Sequence, residues 1–196
     1  MTRNLAILLF DDVEELDFCG PFEVFNLANE VSNQQHFDVN TVAISSQEIK
    51  THNRLRVLPD YSLQACPKPD ILLIPGGIGT RAVLRNETIL RWVKVSAPQV
   101  ELLLSVCTGA LILAEAGLLD GLQATTHHAC FAELAERAPQ AILVKNVKYV
   151  DNGRIILSGG ISAGINMSLY VISRLIGRET ALKVAREMEY DWSGIT

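Results

Sequence analysis

Short apolar runs that end abruptly, with segments of helical spacing between them, constrain the fold of this chain most strongly. The runs are Asn4–Phe10, Phe37–Ile44, Asp70–Ile74 and Val100–Val106. Continuous apolar character is typical of strands buried on both faces, and strands joined through helices run parallel. The sequence therefore predicts an α/β fold with a mainly parallel sheet covered by helices on both faces. In such sheets, ligands bind outside the carboxyl ends of the strands.

Length and charge limit the domain count and the partners. With 196 residues, 48% of them apolar, and no linker-like stretch, the chain is expected to form one domain, 1–196. Its 17 basic and 22 acidic side chains give a net charge of −5, which predicts no nucleic-acid partner. No apolar run approaches the roughly 18 residues of a membrane span, and no cleavage site follows the short run Leu5–Phe10. We therefore expect a cytoplasmic protein that does not contact membranes.

Cys107 stands where the fourth core strand meets the next helical segment. The segment Leu103–Ala110 places one reactive residue between an apolar strand and small residues that let a helix start, which is the layout of a nucleophile elbow. A thiol above the amino terminus of a helix is expected to ionise more easily than a free thiol. The alternative is a cysteine that is simply buried at a strand end, as is typical of unpaired cysteines. The other three cysteines lack CxxC spacing and are expected to be reduced core residues.

Two further segments point toward the same sheet edge. Pro75–Gly77 ends the neighbouring strand, and a free amide on Gly77 together with the amide of Thr108 is expected to form a paired donor site for an anion. A plain chain reversal is the alternative for this turn.

Asp17 follows the first strand at the end of an acidic loop, Asp11–Asp17. Repulsion by a nearby thiolate would raise the pKa of its carboxyl, so Asp17 is expected to act as an acid. The alternative is a capping residue for a first helix that the apolar spacing starts at Gly20–Pro21.

His127 and His128 are the only histidines that follow a predicted strand, Ala124–Thr126. Either one can approach Cys107, and either can equally be a surface or packing residue. Neither a zinc-type Cys/His spacing nor a phosphate-binding glycine loop is present, so the sequence predicts no metal.

The motifs taken together resemble those of the DJ-1/PfpI superfamily. They are Leu9–Pro21, Ile74–Gly77, Ser105–Gly109, Gly117–Gly121, Ala124–His127 and Gly159–Ile165. Within this superfamily the pattern is most similar to isocyanide (isonitrile) hydratases and to the amino-terminal domains of AraC-type regulators.

The resemblance implies a flavodoxin-like three-layer sandwich of the class I glutamine amidotransferase type, a homodimer, a small-molecule substrate and no cofactor. It implies Cys107 as the catalytic nucleophile and Asp17 and Thr108 as its catalytic partners. It further implies a binding site for the substrate or its oxyanion made by Gly77, Thr108, His127 and Gly160.

Two residues separate the subfamilies. Peptidase-like members carry a histidine where this chain has Thr108, and DJ-1 and glyoxalase-type members carry a glutamate where it has Asp17. Both differences favour the hydratase branch, which adds water to an isonitrile and forms an N-substituted formamide. The alternatives are a ligand or redox sensor module and a glyoxalase or stress-response activity. The chain departs from the pattern at Asn166, where aspartate is usual, and at Ser105, where hydrolase elbows have glycine.

Overall fold

The computed structural model describes residues 1–194, so the last two residues of the predicted domain 1–196 lie outside the described residues. The strands are β1 (Arg3–Leu8), β2 (Phe37–Ala43), β3 (Ile49–Lys50), β4 (Arg56–Val57), β5 (Tyr61–Ser62), β6 (Ile71–Ile74), β7 (Leu102–Val106), β8 (Gln123–Ala124), β9 (Ile142–Leu143), β10 (Tyr149–Asp151) and β11 (Ile155–Ser158). The helices are α1 (Glu15–Ser32), α2 (Thr80–Val83), α3 (Glu87–Ser96), α4 (Gly109–Glu115), α5 (Phe131–Arg137), α6 (Ala163–Ile176) and α7 (Arg178–Glu187).

A seven-stranded sheet forms the centre, in the order β10-β11-β7-β6-β1-β2-β5. All neighbours are parallel except β10, which is antiparallel to β11. Strands β6 and β7 are buried along their whole length, because helices cover both faces. Helices α1, α6 and α7 pack against one another, whereas α2, α3 and α5 pack against α4. The α/β fold predicted from the apolar runs is confirmed.

The strand order reverses between β1 and β6, because the chain turns outward to β2 on one side and to β7 on the other. Doubly wound sheets open a crevice at such a point, at the carboxyl ends of the strands. The segments after β1, β6, β7 and β11 all reach this edge.

The structure corrects the start of the first helix. Helix α1 begins at Glu15, so Asp17 lies in its first turn and Pro21 lies inside it. Inside a helix, proline keeps φ near the helical value but removes one amide donor and crowds the carbonyl four residues earlier, here that of Asp17. Helix α1 nevertheless continues through Pro21, and the acidic loop ends before Asp17.

Two small sheets stand outside the central one. One is the antiparallel hairpin of β3 and β4. The strand predicted at Ala124–Thr126 is β8, Gln123–Ala124, which pairs only with β9. Among residues 1–194, no helix is long and apolar enough to cross a membrane.

Candidate active site

Cys107 occupies a sharp turn between β7 and α4, with φ of +56°. Few residues other than glycine adopt this left-handed backbone, which costs on the order of 1–2 kcal/mol. Hydrogen bonds hold it in place: the Cys107 amide lies 3.2 Å from the carbonyl oxygens of Ser158 and Gly159, and its carbonyl accepts the Thr126 hydroxyl at 2.8 Å. The elbow is thus fixed by β11 and by the segment after β8.

Glycines allow the chain to close around the elbow. A Cβ atom on Gly109 would stand 2.1 Å from the carbonyl oxygen of Ile74, so α4 begins in contact with the end of β6. A Cβ atom on Gly160 would stand 2.7 Å from the Cys107 sulfur. Gly160 therefore lies directly beside the thiol, at the sheet edge where the sequence predicted it.

Asp17 faces inward from the first turn of α1 and is fully buried. Its Oδ2 accepts the Gly76 amide at 3.0 Å, while the buried Oδ1 has no aligned hydrogen-bond partner within residues 1–194. The carboxyl lies in hydrogen-bonding range of the Cys107 thiol. Asp17 does not cap α1, whose N-cap residue is Glu14.

Burial raises the pKa of the Asp17 carboxyl to about 7, and the charge of Glu14 adds to this increase. The Gly76 amide, which donates to Oδ2, and the nearby Cys107 thiol act in the opposite direction. The sequence predicted an elevated pKa, but it assigned the cause to a thiolate, whereas desolvation is the main cause here. Near neutral pH the carboxyl therefore exchanges a proton readily.

The pKa of the Cys107 thiol is shifted in the direction opposite to the one that the sequence predicted. Burial, followed by the charge of Asp17, raises the pKa of the Cys107 thiol above its ordinary value, and the Thr108 amide only partly opposes them. The predicted easy ionisation considered the helix terminus and not the enclosing residues, which leave Cys107 5% exposed. Because two adjacent buried anions repel each other, thiol and carboxyl share at most one negative charge near neutral pH.

The hydrogen bonding of the Gly77 amide also differs from what the sequence predicted. Its amide is not free, because it donates to the Thr108 hydroxyl oxygen at 2.9 Å, and that hydroxyl donates back to the Gly77 carbonyl at 3.1 Å. This reciprocal pair joins the turn after β6 to the elbow. The Thr108 amide, by contrast, does face the Cys107 sulfur.

The sulfur is reached through a cleft of about 490 Å³. The lining residues are Glu14, Gly77, Ile78, Arg81, Cys107, Thr108, His127, Cys130 and Ile161. Sequence reasoning missed Glu14, Ile78, Arg81, Cys130 and Ile161. The one available signal was that Glu14 and Ile78 lie in the segments that follow core strands, whereas Arg81 is brought in by α2 and Cys130 by the turn that leads into α5.

His127 lines the cleft, but His128 does not. The His127 Nδ1 accepts the amide of Ala129 at 3.3 Å, and burial together with His128 lowers the pKa of the ring. The ring is therefore neutral near pH 7, and its proton lies on Nε2. His128 is exposed and packs against His127, with ring centroids 4.2 Å apart.

Arg81 supplies a fixed positive charge at the cleft. Its guanidinium bonds Glu133 at 2.6 Å, the Cys130 sulfur at 3.4 Å and the Thr80 hydroxyl at 3.2 Å. These contacts tie α2 to α5 across the cleft.

The two departures from the motif pattern lie outside the cleft lining. Ser105 is buried in β7, and its hydroxyl lacks a partner within the described residues. Asn166 lies in α6, where its Oδ1 accepts the Tyr190 hydroxyl at 3.1 Å. Nowhere in residues 1–194 do three or more metal-ligating side chains converge.

A doubly wound sheet with a cysteine at φ of +56° between a core strand and a helix defines a class of α/β proteins with a cysteine elbow. A family model described as the DJ-1/PfpI family matches residues 3–174. The chain belongs to the DJ-1/PfpI family.

Relatives of two kinds match nearly the whole chain. An isonitrile hydratase of Pseudomonas putida is 34% identical over 97% of this chain and 79% of its own length. The HTH-type transcriptional regulator GbdR of Pseudomonas aeruginosa is 27% identical over 96% of this chain, which spans only 51% of that regulator. Among solved structures, a ThiJ/PfpI family protein from Pseudomonas syringae superimposes with a TM-score of 0.89 at 27% identity, covering 98% of this chain and 77% of the other.

Proposed function

We propose that this protein is an isonitrile hydratase-like hydro-lyase in which Cys107 is the nucleophile and Asp17 its proton partner. The observation that carries the proposal is the buried Asp17 carboxyl, with a pKa raised to about 7, in hydrogen-bonding range of a thiol that opens to a cleft. The similarity to an isonitrile hydratase over most of both chains supports the same reaction.

In the first step, the sulfur bonds to the terminal carbon of the isonitrile, and that carbon also gains one proton. The resting pair holds its proton on the sulfur, because the pKa of the thiol lies above that of the Asp17 carboxyl. Transfer of this proton to Asp17 as the substrate arrives gives the reactive form, a thiolate beside a neutral carboxyl. The Thr108 amide stabilises the anionic sulfur. Asp17 then supplies the proton, and a thioimidate on Cys107 results.

In the second step, water adds to the thioimidate carbon. The nitrogen gains one proton of this water, the carbon–sulfur bond breaks, and an N-substituted formamide leaves. The other proton of the water returns to the pair of Cys107 and Asp17. The balance is one isonitrile and one water consumed for each formamide, without an oxidant or reductant.

The remaining site residues have supporting roles in this proposal. The Thr108 hydroxyl and Gly77 position the elbow through their reciprocal hydrogen bonds. Gly160 leaves room beside the sulfur, and His127 offers its Nε2 proton to the substrate.

The test uses an alkyl isonitrile labelled with carbon-13 at its terminal carbon. We expect the label to appear in a formamide at a rate proportional to protein concentration, and a thioimidate mass to appear transiently on the peptide that contains Cys107. Absence of formamide at any isonitrile concentration would refute the activity.

A sensor module is the second candidate, because the chain also matches about half the length of transcriptional regulators. In this case the cleft binds a small molecule without converting it. Calorimetric binding of an isonitrile, with no product after prolonged incubation, would favour the sensor over the enzyme. The expectation of no nucleic-acid partner stays a prediction, since those relatives are named as HTH-type regulators.

The homodimer also stays a proposal. Apolar side chains flank a groove of about 460 Å³ between α1 and the β3–β4 hairpin, where Phe22, Leu55 and Leu58 are 37%, 51% and 71% exposed. Exposed apolar patches often mark interaction sites, and association with a second copy of the chain would bury these side chains. Light scattering on the intact chain and on Leu58→Lys tests this, and we expect a dimer and a monomer, respectively.

A further inference from the structure

We propose that Glu14 is the general base that delivers water to the covalent adduct on Cys107. The inference rests on the proposed function for its nucleophile only, and it holds for any adduct that water must release.

Asp17 cannot take a proton from a water molecule in the cleft, because its side chain is fully buried and it does not line the cleft. It can protonate or deprotonate sulfur, with which it lies in hydrogen-bonding range. The second half of the reaction therefore needs another base on the open side of the sulfur.

The other polar groups of the cleft are already engaged or are permanently protonated. The His127 Nδ1 accepts the Ala129 amide, which leaves a ring N–H donor toward the cleft. Arg81 is protonated at all relevant pH values, and its guanidinium is held by Glu133 and Cys130. The Thr108 hydroxyl is paired with Gly77.

Glu14 differs from all of these. It lines the same cleft as Cys107 and is partly exposed, so water reaches its carboxylate. Although Glu14 is the N-cap residue of α1, its side chain makes no capping hydrogen bond. Within residues 1–194 the side chain makes no other hydrogen bond or ion pair, and its lone pairs are therefore available to a water molecule.

Glu14 lies near enough to Asp17 and to His127 for its charge to act on both groups. This charge favours the protonated form of the Asp17 carboxyl. The main chain fixes this position, since the Glu14 amide donates to the Gly76 carbonyl at 2.9 Å.

A water molecule gives one proton to the Glu14 carboxylate, and its oxygen bonds to the adduct carbon. For an acetyl adduct the carbon–sulfur bond then breaks, acetate leaves, and the proton returns to the sulfur–carboxyl pair of Cys107 and Asp17. For a thioimidate, the same water attack ends in the formamide.

The test separates formation of the adduct from its release. p-Nitrophenyl acetate acetylates a reactive cysteine; the nitrophenolate burst reports acetylation, and intact mass measured over time reports loss of the acetyl group. We compare the parent chain with Glu14→Gln and with Glu30→Gln, an exposed glutamate of α1 that lies outside this cleft and outside the groove between α1 and the β3–β4 hairpin. Thermal unfolding of each variant checks that the fold is kept.

We expect Glu14→Gln to be acetylated within about twofold of the parent rate and to keep the acetyl group about 100-fold longer, as typical for removal of a general base. Glu30→Gln should match the parent in both phases. Equal lifetimes in Glu14→Gln and the parent would overturn the inference, as would the absence of an acetyl adduct on Cys107 in the parent.

Failure of the proposed function leaves a different pattern. A parent that does not hydrate isonitriles, but in which loss of the acetyl group depends on Glu14, refutes the hydratase assignment and supports the base. If instead the parent hydrates isonitriles and loss of the acetyl group does not depend on Glu14, the hydratase assignment is supported and the role of Glu14 as base is refuted.

Discussion

The floor of the cleft and its rim are built in opposite ways. The floor consists of Cys107, Asp17, Thr108 and the two glycines Gly76 and Gly160, and its side chains are buried and closely packed. The rim consists of Glu14, Arg81, His127 and Cys130, which are partly exposed. A buried floor can hold two proton-sharing groups without water between them, whereas an open rim can bring in water and substrate. The comparison suggests that bond formation at sulfur belongs to the floor and that water delivery and substrate selection belong to the rim.

The largest expected difference is between the two cysteines that line the cleft. Replacement of Cys107 by alanine removes the nucleophile, and we expect at least about a 1,000-fold loss of formamide production. Cys130→Ala removes a sulfur that contacts only the rim guanidinium, and we expect a rate within about twofold of the parent. Equal losses of formamide production in the two variants would contradict the assignment of bond formation to the floor alone.

The second expected effect concerns stability of the floor. Because the pKa of Asp17 is raised from 3.8 to about 7 on folding, the folded protein binds a proton that the unfolded chain has released, and the free energy of unfolding falls as pH rises from about 4 to about 7. The maximum contribution is about 4 kcal/mol, from 1.36 kcal/mol per pKa unit.

Asp17→Asn isolates this contribution. The amide stays neutral and its oxygen can still accept the Gly76 amide, so the variant should gain stability relative to the parent as pH rises and should match it near pH 4. Urea unfolding of both proteins across this range gives the difference. Parallel stability curves would mean that Asp17 is ionised in the folded protein at all of these pH values.

The third effect is catalytic and uses the same substitution. Asparagine cannot exchange a proton with the sulfur, so we expect Asp17→Asn to lower kcat about 100-fold. Asp12→Asn is the matched control, since Asp12 is exposed and lies before α1. A kcat near that of the parent in Asp17→Asn would remove the floor carboxyl from the mechanism.

The smallest expected effect lies on the rim. Lysine at position 81 keeps the charge but loses the fork that holds Glu133 and Cys130 together, so Arg81→Lys should raise KM about three- to tenfold with little change in kcat. Steady-state kinetics separates the two constants. A fall in kcat without a change in KM would place Arg81 with the floor instead.

The sequence predicted the floor better than the rim, for a physical reason. Cys107, Gly77 and Gly160 come directly after apolar strands, and the carboxyl ends of parallel strands meet at one edge. Arg81 and Cys130 reach the cleft through the packing of α2 and α5, which no local pattern specifies. Glu14 was one residue of an acidic loop, and only the true start of α1 distinguishes it from its neighbours.

The protonation states were harder to predict than the positions. A helix amino terminus is visible in a sequence, and it suggested an easily ionised thiol. Desolvation depends on what the rest of the chain places around the sulfur, including Gly160 from a distant segment, and it reverses the direction of the pKa shift. The occupied amide of Gly77 was missed for the same reason, because its acceptor is a side chain after β7.

The elbow also has a consequence for synthesis of the chain. Its nucleophile depends on partners that are far apart along the polypeptide: Asp17 and Gly76 are 59 residues apart, and β11 must insert between β7 and β10 before Ser158, Gly159 and Gly160 can reach the turn. A nascent chain that has not yet produced β11 has no assembled site. The sulfur therefore gains its proton partner Asp17 and its enclosing cleft only when folding is nearly complete.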